Sequence, residues 1–444
     1  MTTDLDTAAA QLNACLQGAP YLNYVYSYPH KTAYRALAEP LDLGEVWAAE
    51  NKQALFLYVH LPFCEMRCGY CNLFTTTQAP DALVTAYLGA LERQMQVAAD
   101  YLGDFRFEQL AIGGGTPTYL SAVQLEHLFT ALSRHLQAEH LPASVEVSPA
   151  TVDADRLACL QAQGTERISI GIESFNPEDL QALGRPQSLA QVQKALALIR
   201  DSGIPRLNID LIYGNHGQTP ARWLASLEQA LAWQPEELFI YPLYIRPLTG
   251  LGRKQQQAQA DQRQLLYRLA CERLLAAGYH QGSMRLFRRG ATPRQGQYRC
   301  QEDGMVGLGA GARSYTQSWH YSSRYAVGKG PVQAIIRQYA DRSAATLRML
   351  DYGIRLDARE QRHRYVLLSL LQVEGLAAIA YQQRFGSRLL DDFPQLVLLE
   401  EKGLASVSMA GITLTEQGLA ASDLIGHWLF SAAVRQRMVD WERA

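Results

Sequence analysis

The chain has 444 residues, 48% of them apolar and 19% charged, with 41 basic against 43 acidic side chains and a formal net charge of −2. That length exceeds one small domain, and the composition is that of an ordinary globular protein. The charge balance argues against a general binder of nucleic acid or anionic membrane, and no apolar run is long enough to span a bilayer.

The first residues, MTTDLDTAAAQLNACLQ, carry two acids and no early basic residue. They read as neither a secretory signal nor a transit peptide, which predicts a cytoplasmic protein. The following YLNYVYSYPHKTAYRAL is rich in tyrosine, and Pro29 with scattered polar residues argues against one long helix. Residues 1–50 are therefore expected to form an irregular N-terminal extension. Six short apolar runs follow, at 54–61, 108–115, 144–149, 167–174, 206–213 and 237–244, and each reads as a buried strand. Segments of helical period separate them: DALVTAYLGALERQMQVAADYL, AVQLEHLFTALSRHLQ, DADRLACLQAQG, LAQVQKALALIRDSG and RWLASLEQALAW. Strands alternating with helices predict an α/β fold with a parallel sheet. Six units are too few for a complete eight-stranded barrel and suit a partial (β/α)6 TIM-like barrel, with a doubly wound sheet as the alternative. Beyond about residue 250 the pattern loosens, through a helix in QADQRQLLYRLACERLLAAGY and a loop-rich stretch ending in GLGAGA. The barrel with its substrate-side loops is placed at 51–345. From 355 to 444 the chain predicts a separate, mostly helical module of winged-helix character that ends in a short hairpin. It lacks a dense basic face, so DNA binding is not expected.

Function is expected just beyond the C-terminal ends of the strands. Cys64, Cys68 and Cys71 lie there, in HLPFCEMRCGYCNL, as do GGGTP, Glu146, Glu173 and Asp210. Cys15, Cys159, Cys271 and Cys300 are scattered and read as small buried hydrophobes in a reducing compartment. The C-x3-C-x2-C cluster is different, because closely spaced thiolates suit zinc or iron–sulfur. A structural zinc site usually takes two separated ligand pairs, and no partner pair is evident; His60 reads as structural. Three thiolates on a four-iron cubane would leave one iron open to a ligand. Spacing alone supports an iron–sulfur or zinc site.

That motif, with Tyr70 before the last cysteine, resembles the radical S-adenosylmethionine (SAM) superfamily. YVHLPFC, GGGTPTYL, VEVSPATVD, RISIGIESFNPEDLQALGR, NIDLIYG and GLGAGA recur in the order seen in oxygen-independent coproporphyrinogen III oxidases and the related heme chaperone. The YSYP stretch and the C-terminal module are similar to that group as well. The resemblance implies a [4Fe–4S] cluster on Cys64, Cys68 and Cys71, with SAM chelating the open iron. Reductive cleavage of SAM would give a 5′-deoxyadenosyl radical that takes hydrogen from a substrate. An electron donor such as flavodoxin or ferredoxin would be needed, and heme or another tetrapyrrole is an implied partner.

The same resemblance assigns Gly113, Gly114, Gly115 and Thr116 to the amino group of SAM, and Tyr58 to a cofactor contact. Glu146 would accept the ribose hydroxyls. Asp210 is a carboxylate inside an apolar strand, costly unless paired or used. In the oxidase a second SAM binds, and Tyr70, Arg185, Ile245 and Arg313 match its positions, although the oxidase has an aliphatic residue at the last. Glu173 replaces the usual glutamine, exchanging an amide donor for an anion. Leu73 stands where the oxidase has a further cysteine and the chaperone branch does not. Arg246, Arg285, Arg288, Arg289, Arg299 and Arg313 would suit a carboxylated substrate, a porphyrinogen or an amino acid. Cys300 is a candidate hydrogen donor or auxiliary ligand. Oxidation, methyl transfer and a chaperone role that retains the cluster all remain open.

Overall fold

A computed structural model describes residues 2–18, 21, 24–246, 248–254, 261–290 and 300–443. The chain divides into two compact units, one of residues 35–270 and 291–355, the other of residues 1–34, 271–290 and 356–444.

The larger unit is built on strands β1 (Arg35–Asp42), β2 (Leu55–Leu61), β3 (Phe107–Gly114), β4 (Ala143–Val147), β5 (Thr165–Glu173), β6 (Arg206–Tyr213), β7 (Glu237–Pro242), β8 (Met305–Leu308), β9 (Arg313–Tyr315), β10 (Trp319–Ser322) and β11 (Met349–Arg355). Their order across the sheet is β1-β11-β10-β9-β8-β2-β3-β4-β5-β6-β7. The run from β8 to β7 is parallel, in the register Tyr58↔Ala111, Ile112↔Val145, Glu146↔Ser169, Ser169↔Asn208 and Asp210↔Phe239. The strands from β1 to β9 add an antiparallel flank. All six expected strands form, in an α/β fold with crossover helices. Among the described residues the parallel sheet does not close on itself. It also gains a seventh member, β8, where loop was expected. Glycine-rich MVGLGAGA gave no strand pattern, yet Met305–Leu308 pairs in parallel with Phe56–Val59.

Helices α1 (Asp81–Leu102), α2 (Ala122–Leu136), α3 (Ala154–Ala162), α4 (Pro177–Ala182), α5 (Leu189–Asp201) and α6 (Pro220–Ala232) join the strands. Their starts are written locally. Ser121 with Gln124, and Ser188 with Gln191, form reciprocal capping boxes; Asp153 caps α3, and Thr219 caps α6 ahead of Pro220. One face of the central strands buries Val145, Ile168, Ile170, Ile172, Leu207, Ile209, Leu238 and Ile240. The alternate positions carry Glu146, Arg167, Ser169, Asn208, Asp210 and Glu237 to the opposite face.

The smaller unit holds helices Thr2–Gln17, Ala358–Leu370, Ala378–Phe385, Ser422–Trp428 and Ala432–Arg443, together with a three-stranded sheet of Leu376–Ala377, Ala405–Val407 and Gly411–Leu414. The first helix corrects the irregular reading of the opening residues. It forms because tertiary partners receive it: Leu12 is fully buried, and Trp428 Nε1 donates to the Ala8 carbonyl at 3.0 Å. Asp423 accepts from the Val25 amide at 3.2 Å and from Arg285 at 2.5 Å, and the Arg285 guanidinium lies 3.9 Å from the Tyr24 ring centre. Tyr28 donates to Glu360. No helix among the described residues is long and apolar enough to cross a membrane.

Candidate active site

The cysteine loop leaves the end of β2. A short parallel pairing, Phe63↔Thr76 and Cys64↔Thr77, closes its base. Inside the loop the Cys71 amide donates to the Cys68 carbonyl at 3.2 Å. Burial and the neighbouring sulfurs of Cys71 and Cys68 push the Cys64 thiol up to about 12, and burial and Cys68 raise that of Cys71. Crowded thiolates of this kind repel one another until a cationic centre binds among them, so the donor set fits an iron–sulfur group. Two side chains already turn donors toward sulfur. Arg185 Nη1 lies 2.9 Å from Cys68 Sγ, and the Thr116 hydroxyl 3.8 Å from Cys64 Sγ. Among the described residues no three His, Cys, Asp or Glu side chains are gathered tightly enough for a single metal ion.

Arg185 is the hub of the site. Its guanidinium also donates to the Gly171 carbonyl and to Gln187 at 2.9 Å, and stands 3.6 Å from Glu173. Burial disfavours its charge, but Tyr70, Cys68 and Glu173 outweigh that and raise its pKa. Glu173 is 8% exposed and ends β5 with φ +66°, a left-handed conformation uncommon outside glycine. Burial raises its pKa, opposed by Arg185 and by a hydrogen bond with Tyr70. The unexpected carboxylate is therefore matched by a cation.

Glu146 accepts from the Gly114 amide at 3.0 Å. The residue as a whole is exposed, yet burial of its carboxyl end against the protein raises its pKa; Gly114 and Arg167 oppose the shift. Asp210 receives Asn208 Nδ2 at 2.8 Å and the Ser169 hydroxyl at 3.3 Å. Burial first, and then the charge of Glu173, push it up to about 7. Below these groups Arg167 donates to Glu237 at 2.7 Å and to Ser144 at 3.0 Å. Arg167, Ser169 and Asn208 were missed in the sequence. Their signal was present: polar residues alternate with isoleucine in RISIGIE and NID.

The backbone amides at the end of the glycine run are already engaged within the protein. The amides of Gly114, Gly115 and Thr116 already donate, to Glu146, to the Leu61 carbonyl at 2.8 Å and to the Phe63 carbonyl at 2.8 Å. An ammonium group is a donor and would need carbonyl oxygen rather than these amides. Gly114 has φ +112°, and a Cβ there would meet the His60 ring at 2.6 Å; one on Gly115 would meet the Phe63 carbonyl at 2.5 Å. His60 is buried, with Nε2 2.9 Å from the Phe74 carbonyl and Nδ1 3.2 Å from the Tyr58 hydroxyl. It thereby ties Tyr58 to the glycine turn.

Contacts thus join Cys68, Tyr70, Glu173 and Arg185 directly, Glu146 to Gly114, and Asp210 to Ser169 and Asn208. Ile245, on the segment after β7, is 50% exposed. Of the proposed substrate arginines, Arg285 is spent on Asp423 and is 5% exposed, which removes it as an open anion site. The Arg246 guanidinium lies 5.9 Å from the Tyr244 ring and that of Arg313 6.0 Å from Tyr315. Arg288 and Arg289 form a hairpin strand with Tyr279–Gln281. Arg299 and the side chain of Cys300 lie outside the described residues. Cys15, Cys64, Cys68, Cys71 and Cys159 are half-buried free thiols.

The family model "Radical SAM superfamily" matches residues 58–230, and "HemN C-terminal domain" matches 356–420. The oxygen-independent coproporphyrinogen III oxidase of Salmonella typhimurium is 30% identical over 425 residues, covering 89% of this chain and 91% of that one. The chain belongs to the radical SAM superfamily, in the coproporphyrinogen oxidase-like group. Heme chaperone HemW of Bacillus subtilis is 28% identical over 384 residues, 84% of this chain and 98% of its own. The solved structure described as coproporphyrinogen III oxidase (HemN) from Escherichia coli, a radical SAM enzyme, superposes with a TM-score of 0.79 at 26% identity. It covers 92% of this chain and 97% of the other. Membership of the radical SAM superfamily implies a [4Fe–4S] cluster and SAM as cofactors.

Proposed function

We propose that this radical SAM protein is an oxidoreductase that removes hydrogen from a carboxylated small molecule, with a porphyrinogen as the first class to test. The observation that carries the reading is the contact chain Cys68–Arg185–Glu173–Tyr70, which joins the cysteine loop to a polar strand-end face. Cys64, Cys68 and Cys71 would hold the cluster. The carbonyls of the Gly113–Gly115 turn and the Tyr58 hydroxyl would receive SAM, and Glu146 its ribose. When bound, the reduced cluster and SAM supply a 5′-deoxyadenosyl radical. The chain's own residues prepare the site. Arg185 donates to Cys68 and offsets its charge, the apolar strand face keeps bulk water from behind the site, and Asp210 can hold a proton near neutrality. Arg246 and Arg313 are the arginines proposed to meet substrate carboxylates. A one-electron donor of the flavodoxin or ferredoxin class is required.

A second reading, heme chaperone, is favoured by the similarity to HemW and by Leu73 in place of a further cysteine. One experiment separates them. The protein is reconstituted anaerobically with iron and sulfide, reduced and given SAM, and 5′-deoxyadenosine is assayed with and without coproporphyrinogen or heme. Formation of 5′-deoxyadenosine that rises with coproporphyrinogen supports the oxidoreductase, and a methylated product would move it to methyl transfer. Stoichiometric heme binding without 5′-deoxyadenosine overturns the enzyme reading in favour of the chaperone.

A further inference from the structure

The middle of the cysteine loop is held by backbone, in a way the motif does not demand. Gly69 lies between Cys68 and Tyr70. Its amide is shared by the carbonyls of Leu183 at 3.1 Å and Gly184 at 3.2 Å, and its own carbonyl accepts from the Leu251 amide at 2.7 Å. Both hydrogen-bonding groups of one residue are therefore spent on two segments distant in sequence. The fit leaves no room for a side chain. A Cβ on Gly69 would stand 2.7 Å from the Leu183 carbonyl oxygen and 3.2 Å from Leu251 Cγ. A Cβ on Gly184 would meet Gly69 Cα at 3.2 Å, and one on Gly250 the Gly69 carbonyl at 3.2 Å. Three glycines thus converge where three backbones cross.

Neither gripping segment is a free loop. Leu183 and Leu251 are buried together with Ile212 and Leu243, and Tyr70 and Tyr241 pack against them. Arg185, directly after Gly184, reaches Cys68 Sγ, so the same segment holds the loop by backbone and by side chain. On the other side, Thr249 is buried and takes both its amide and its hydroxyl to the Arg246 carbonyl, which fixes the turn that carries Leu251. That turn also bears Ile245 and Leu248, 50% and 55% exposed.

We propose that Gly69 is a positioning residue: its backbone clamps the cysteine loop to the segment that carries Leu251, so that the placement of Cys68 and Tyr70 follows the position of that segment. The proposal rests on the radical SAM reading above. It predicts that a side chain at Gly69 displaces the loop from Leu183 and so breaks the Leu251 bond as well.

The test compares wild type with Gly69→Ala, and with Gly89→Ala as a control in α1, where an added Cβ would meet only the Arg93 side chain at 3.9 Å. Three quantities are read: far-UV dichroism, iron and sulfide per chain with the EPR line shape of the reduced cluster with and without SAM, and amide exchange of residues 249–253 in the protein as purified. Expected for Gly69→Ala are an unchanged dichroism spectrum, at least a three-fold loss of bound iron or an altered EPR signal with SAM, and at least ten-fold faster exchange at Leu251. Gly89→Ala should behave as wild type. Wild-type iron, EPR and Leu251 exchange in Gly69→Ala overturn the proposal. If Gly69→Ala unfolds, Gly250→Ala, whose Cβ would crowd the Gly69 carbonyl oxygen at 3.2 Å and Cα at 3.3 Å, must show the same coupled change at Leu251 and in the EPR signal; its absence overturns the clamp. A wild-type protein that takes up no iron overturns the radical SAM function instead, and Leu251 exchange then still decides the clamp.

Discussion

Asp210 is held in a protonated-prone state by its surroundings. Burial and the charge of Glu173 raise it to about 7, against about 3.9 in an unfolded chain. Between those values the folded form retains a proton that the unfolded form has released. Its contribution to stability is full below pH 4, falls as pH rises toward 7 and is flat above. The upper bound is about 4 kcal/mol, and the water that reaches this half-buried carboxyl lowers it. Asp210→Asn is therefore expected to be more stable than wild type at pH 8, by about 1–2 kcal/mol, with no gain at pH 4. Urea unfolding across that range reads it, and an equal difference at both pH values would rule the account out. Cys68→Ala should abolish the iron–sulfur absorbance and leave the dichroism spectrum intact, because the loop's base is fixed elsewhere, at Phe63↔Thr76. A full complement of iron and sulfide in that variant would remove Cys68 from the ligand set.

The crossover helices begin at caps rather than at hydrophobic positions alone. Ser188→Ala removes the acceptor for the Gln191 amide and half of a capping box. A loss of about 1 kcal/mol is expected, measured by chemical denaturation. A change within error would mean that Gln191 and water satisfy the helix start unaided. The helical segments were legible in the sequence, as were the six central strands, because periodic and apolar runs bounded by polar turns have few other uses. The first helix was not legible. TTDLDTAAAQLNACLQ offers few large apolar residues, and its stability comes from partners at Trp428 and beyond. Arg285 looked like an open cation because its partner, Asp423, lies 138 residues away. The polar face of β5 and β6 was overlooked for a different reason. Its apolar runs read as buried on both faces, whereas alternation separates Ile168 and Ile170 from Arg167 and Ser169. The cysteines were plain from spacing, whereas the grip on Gly69 depends on backbone crossings that no local pattern records.

The smaller unit is assembled from three stretches of chain, the first and last at opposite ends of the sequence. Trp428 is 5% exposed and bonds to the Ala8 carbonyl, while the Arg437 side chain donates to the Ala33 carbonyl at 3.1 Å. Deleting residues 2–17 should therefore loosen the C-terminal helices without touching them in sequence. New proteolytic cuts near 422–430 are expected, and the heme or SAM chemistry tests of the deleted protein should be read against that change. Unaltered protease resistance would show that the first helix is dispensable to the unit. The same arrangement has a cost in time. Ala8 and Trp428 are 420 residues apart, a gap that a ribosome moving at about 5–20 residues per second takes roughly 20–80 s to cross. The opening helix leaves the ribosome well before its partners exist. Through that interval its apolar side must be screened by other proteins or remain unfolded, so production of this protein should depend on chaperone supply more than a chain whose neighbours in space are neighbours in synthesis.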